Sequence, residues 1–155
     1  MKRNGPVPIL WAAFGAAVGS TVIELMLWPI AGEGAIHNLL RDARLTAAIV
    51  MGRAVLGASS GFDPLIMGVA TLVHAALSLA YAAVLAKLVR NLSPGAALLV
   101  GGVFGLVLYG VNLHAFTEIF PWFVPVRGAI TLVAHLAFGV TAAGVYCIVR
   151  RSPRA

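Results

Sequence analysis

The chain has 155 residues, 61% apolar and only 10% charged, with a net charge of +6, an isoelectric point near 10.5 and a mean hydropathy of +0.97. Soluble domains carry ~25% charged residues, so 11 basic and 5 acidic side chains cannot clothe a soluble surface of this size. The same composition excludes disorder, and a single cysteine, Cys147, excludes a disulfide scaffold.

What remains is an integral membrane protein forming one transmembrane domain over residues 1–155. A helix needs ~20 mostly apolar residues to cross ~30 Å of hydrocarbon. Four stretches meet that length, predicting helices over about 6–30, 64–88, 95–119 and 126–149. The ~10-residue alternation of a membrane barrel is absent, so the expected fold class is an all-α, integral membrane four-helix bundle.

The first stretch opens with Met1, Lys2 and Arg3, and Ala17-Val18-Gly19 could pass for a signal-peptide cleavage site. Its apolar run continues to Trp28, Pro29 and Ile30, which is long for a signal peptide and predicts an uncleaved helix. Glu24 is its one ionisable residue. After it comes an outer segment, about 33–58. Ile36, Leu40, Ala43, Ala47, Val50 and Ala54 recur there at helical spacing, with Asn38, Arg41 and Arg44 off that stripe. This predicts an amphipathic helix that lies in the interface, folds over the bundle mouth, or links the spans.

The second, third and fourth stretches have no Asp, Glu, Lys or Arg over 64–86, 91–117 and 128–149. Trp28, Phe120, Trp122 and Phe123 are placed to anchor one membrane interface and Trp11 the other. Gly15 with Gly19, and Gly101 with Gly105, form GxxxG pairs. Such pairs serve packing within a chain or homo-oligomer formation. A sixty-residue offset aligns Thr71-Leu72-Val73-His74 with Thr131-Leu132-Val133-Ala134 and Val89-Arg90 with Val149-Arg150, which predicts a parallel duplication of a two-helix hairpin.

Threading the charges through four spans explains the high isoelectric point. Lys2, Arg3, Lys87, Arg90, Arg150, Arg151 and Arg154 share one side with no acid. The other side holds Arg41, Arg44, Arg53 and Arg127 with Glu24, Glu33, Asp42, Asp63 and Glu118, so +7 faces −1 and the total of +6 is recovered. The positive-inside rule then puts both termini in the cytoplasm, with the lipid bilayer as partner and no nucleic acid.

Ionisable residues inside spans mark candidate sites. Counting ~1.5 Å per residue from the outer ends of the spans, Glu24 and His114 lie roughly 9 Å deep, and His74 and His135 roughly 14 Å deep. His74, Ser78 and Tyr81 share a stripe. Tyr109 and Asn112 are three apart, His114 precedes Glu118 by one turn, and Thr131 precedes His135 by one. This polar set supports interhelical hydrogen bonding at ~0.6 kcal/mol per bond, proton or ion coupling, zinc or copper ligation, or a haem between His74 and His135. No attachment motif calls for a cofactor, and nucleotide loops, G-x-S-x-G and HExxH are absent. The expectation is a non-enzymatic multi-pass protein, with a proton- or ion-coupled transporter or channel subunit as one alternative and a metal- or haem-binding membrane protein as another.

The run His74-Ala75-Ala76-Leu77-Ser78-Leu79-Ala80-Tyr81, the stretches Tyr109-Gly110-Val111-Asn112 and Phe116-Thr117-Glu118-Ile119-Phe120-Pro121-Trp122-Phe123, and Ala134-His135-Leu136-Ala137-Phe138-Gly139 carry a resemblance. Together they resemble a group of small four-helix bacterial inner-membrane proteins without an assigned activity. More distantly they resemble the YagU-like family, which shares a histidine followed by a serine in one span and Gly/Ala-His-Leu in a later one. The resemblance covers roughly 64–150. It implies a multi-pass topology in a bacterial inner membrane and carries over no catalytic residue.

Overall fold

The computed structural model describes residues 5–57 and 61–151. The fold is all-α: α1 (Pro6–Ile30), α2 (Ala35–Met51), α3 (Pro64–Val89), α4 (Pro94–Gly110) and α5 (Ala129–Arg151), with short 3-10 turns over Arg53–Gly57, Phe116–Glu118 and Pro121–Val126. A π-turn, Val111–Ala115, extends α4. Four helices are long and apolar enough to cross a membrane: α1, α3, α5 and the stretch Pro94–Glu118. Ile30, Leu72 and Leu99, 81%, 71% and 76% exposed, project from the bundle, the placement expected of side chains that meet lipid.

Helix boundaries follow local chemistry. Pro6, Pro64 and Pro94 each occupy a first-turn position, where a missing N–H costs nothing. Asp63 caps α3, its Oδ1 accepting from the amides of Leu65 and Ile66 at 2.9 and 3.1 Å. Gly32 has φ +78°, a left-handed conformation that lets the chain turn from α1 into α2.

The end of the bundle where α1 begins and α5 finishes is closed by small residues. Ala12, Ala13, Ala16, Ala82, Ala86, Ala97, Ala142 and Ala143 are buried there with Leu85 and Val89. α5 lies at the centre, packed along α1 on one side and α4 on the other. Both glycine pairs face it. A side chain at Gly15 or Gly19 would meet Val145 or Thr141, and one at Gly101 would come within 2.5 Å of the Gly139 carbonyl. Gly105 and Gly139 also stand in backbone contact across the α4–α5 seam. Without a hydrophobic drive between helices in lipid, such close approach is what holds them together.

The packing is not two-fold. A duplicated hairpin would make α3–α4 the counterpart of α1–α5, yet α3 leans on α1 and α2 and scarcely touches α4. α3 packs instead on the half of the bundle that carries α2. There α2 lies across the helices, and Ala43 and Ala47 pack on Ile66 and Ala70 of α3. α2 is rotated from the face read in the sequence. Ile36 and Val50 are 65% and 64% exposed, Ala54 is also exposed, and Asn38 and Arg44 are buried. Short alanines permit the close α2–α3 approach, whereas the bulkier Ile36 and Val50 stay outside.

The aromatic anchors are corrected similarly. Trp28 is only 4% exposed and is enclosed by the bundle. The Trp122 indole N–H donates to the Leu45 carbonyl at 3.0 Å, tying the connection before α5 to α2.

Candidate functional site

A cavity of about 850 Å³ occupies the α2 half. It runs from α2 down to Tyr81 and Phe138, whose rings meet edge to face at 6.4 Å, and every helix contributes to its lining. Its volume falls within the ~300–1,000 Å³ typical of small-molecule sites, and like them it is mostly apolar with a few polar groups.

α2 forms the roof through Leu39, Asp42, Ala43, Leu45, Thr46 and Ile49. Several contacts hold it in place. Besides the Trp122 bond, Asn38 donates to Glu33 Oε2 at 2.6 Å and Arg44 Nη2 to the Gly61 carbonyl at 2.5 Å. Arg53 lies over the Trp122 ring, 5.8 Å from its centre. Burial pushes the Asp42 carboxyl above its ordinary value; the hydrogen bond and charge of Arg41 oppose the rise, and the charge of Glu33 adds to it. The Arg41 Nε donates to Asp42 Oδ1 at 2.8 Å.

A polar chain crosses the cavity. The Tyr81 hydroxyl of α3 donates to Asn112 Oδ1 at 2.7 Å, and the Asn112 amide lies 3.3 Å from His135 Nε2. His135 Nδ1 is 2.8 Å from the Thr131 carbonyl. A carbonyl only accepts, so Nδ1 carries a proton and Nε2 of the neutral ring accepts from Asn112. Every member of the chain is then satisfied. A second proton, at Nε2, would require the Asn112 amide to turn over and present its oxygen.

The π-turn puts Asn112 in this position. One extra residue per turn interrupts the regular backbone bonding at the end of α4. The Leu113 carbonyl is taken up by Arg127, whose Nε donates to it at 2.6 Å while Nη2 donates to Thr117 Oγ1 at 2.6 Å. The Thr117 hydroxyl in turn donates to the Leu113 and His114 carbonyls at 3.2 and 3.0 Å. Arg127 thus clasps the distorted turn that carries Asn112.

Of the residues singled out from the sequence, Glu24, His74, Ser78, Tyr81, Asn112 and His135 all line this cavity. His114 and Glu118 are exposed and do not. Two residues apart on a helical turn, His114 and Asn112 fall on opposite sides, and the His114 ring meets Tyr109 at 5.6 Å between centres. Tyr109 also meets His135 edge on at 5.7 Å. The polar residues spread along the wall instead of converging on a point. Among the described residues no three of His, Cys, Asp or Glu come together as metal ligands. Both nitrogens of His135 are engaged, so an axial bond to haem iron would have to displace Asn112 or Thr131.

Sequence reading missed Asp42, Trp28 and Arg127. The signal for Asp42 was present in Leu39, Asp42, Ala43, Thr46 and Ile49, a second helical stripe on α2. Arg127 gave no signal, because its role depends on a π-turn that hydropathy does not encode. Comparison with protein-family models, with curated proteins and with solved structures finds no match for this chain.

Proposed function

We propose that this chain is a non-enzymatic multi-pass protein of a bacterial inner membrane, both termini cytoplasmic, that holds an amphiphilic small molecule inside its bundle. The supporting observation is the roughly 850 Å³ cavity with apolar walls, a polar chain across it and a helical roof. The +7 and −1 charge balance supports the orientation, with α2 on the outer side. The weakly packed α3–α4 side offers a path from the bilayer, suited to a molecule that partitions into lipid.

The test uses the neutral fluorophore N-phenyl-1-naphthylamine with protein purified in detergent. Fluorescence enhancement should saturate at about one site per chain. Ala75→Trp, which fills the cavity from α3, should abolish it while leaving the protein monodisperse. Equal enhancement by both proteins would overturn the reading.

A second reading has its own observation: Tyr81, Asn112 and His135 tie three helices in a fully satisfied chain. In it the polar residues are structural locks, and replacing them weakens the fold without altering any binding.

A further inference from the structure

Building on the reading of the cavity as a ligand site, we propose that its occupant is a lipophilic cation, an aromatic or alkyl-bearing amine or onium ion whose charge lies between Glu24 of α1 and the α2 roof. The charge of the lining carries this assignment. Among the described residues, the acidic side chains that line the cavity are Glu24 and Asp42, and no Lys or Arg lines it. Glu24 is close enough to Asp42, and to Arg41 beside it, for their charges to interact.

Their surroundings differ. Asp42 already accepts from Arg41. Among the described residues Glu24 is given no hydrogen-bond donor, although it is one of the costliest side chains to hold unpaired in a bundle flanked by lipid. An entering cation supplies the missing partner. An anionic ligand would meet the acidic side of the lining, and a neutral one would leave Glu24 with no partner beyond the charge of Arg41, which is already paired with Asp42.

The walls suit the same chemistry. Trp28, Tyr81, Phe116 and Phe138 line the cavity, and aromatic rings attract cations. The polar chain adds no positive charge, because its hydrogen bonding is complete with His135 neutral. The ligand's apolar body would fill the lower part towards Phe138, and its charged head would lie at the depth of Glu24.

The experiment compares two ions of the same shape and opposite charge, tetraphenylphosphonium and tetraphenylborate, as displacers of N-phenyl-1-naphthylamine from the full-length protein. The Ala75→Trp signal is subtracted to remove partition into micelles. Tetraphenylphosphonium should displace the probe at least tenfold more effectively than tetraphenylborate. Glu24→Gln should weaken the phosphonium at least tenfold relative to the borate, and Asp42→Asn should act in the same direction more weakly. Equal displacement by the two ions, or an unchanged preference in Glu24→Gln, would overturn the cation assignment while the cavity reading stands. If wild-type protein fails to bind the neutral probe, that underlying reading falls first. Should Glu24→Gln not fold, the ratio of the two ions on wild-type protein decides the matter.

Discussion

Tyr81 of α3 and Asn112 beyond α4 are joined by a 2.7 Å hydrogen bond across a helix pair that otherwise scarcely touches. This bond and its continuation to His135 bridge the wide side of the cavity. Because the helices beside it pack weakly, the bond sets their separation more than it adds to stability.

Tyr81→Phe tests that division. Interhelical hydrogen bonds in membranes average ~0.6 kcal/mol, with a maximum of ~1.7. The substitution should therefore cost about 0.6 kcal/mol of unfolding free energy, measured by steric trapping in bicelles, while the distance between spin labels on α3 and α4 broadens. An unchanged distance distribution would show that packing alone holds the gap.

The α4–α5 seam should be far less tolerant. At Gly139 an added methyl group would run into the backbone of Gly101, whereas Gly68 has open space around it. Gly139→Ala should lower stability by about 2 kcal/mol or more, as overpacking does, and Gly68→Ala should be neutral or slightly stabilising. Thermal unfolding of the two variants side by side checks the contrast.

Arg127 should matter more than its exposure suggests. Arg127→Met removes the guanidinium donors from the Leu113 carbonyl and the Thr117 hydroxyl. Hydrogen bonds from a charged donor are worth ~1.5–3 kcal/mol, so a loss near the lower figure is expected at this partly exposed position. Amide exchange should quicken over Val111–Ala115, with α1 unaffected.

Asp42 predicts a pH effect of definite sign. Its carboxyl is raised in the folded protein, so the folded state holds the proton more tightly than the unfolded one. Its contribution to stability is greatest below the ordinary aspartate value, falls as pH rises through the interval up to the folded value, and is flat beyond. Asp42→Asn should raise the melting temperature at neutral pH and flatten this dependence. A melting temperature lowered at pH 7 and unchanged at pH 4 would contradict it.

Orientation can be checked with single cysteines in a Cys147→Ala background. A thiol at position 36 should react with a membrane-impermeant maleimide applied from the periplasmic side, and one at position 90 only after the membrane is opened. The reverse pattern would invert the proposed topology.

The sequence by itself determined the four membrane-crossing helices and the membrane class, because hydropathy over ~20 residues is a one-dimensional property set by bilayer thickness. It also singled out Glu24, His74 and His135, because an ionisable group in an apolar run stands out without coordinates. Only the tertiary structure decided which of them share a space. His74, Ser78 and Tyr81 share the cavity because α3 is regular, but the π-turn at the end of α4 and the Arg127 clasp upon it lie beyond helical counting. The facing of α2 was likewise decided by packing: its alanines fit against Ile66 and Ala70, which brings Asp42 over the cavity. The cavity itself arises because α5 draws α1 and α4 close through small residues while α3 leans on α1 and α2 and stands off from α4, a difference in approach distance that no single helix encodes.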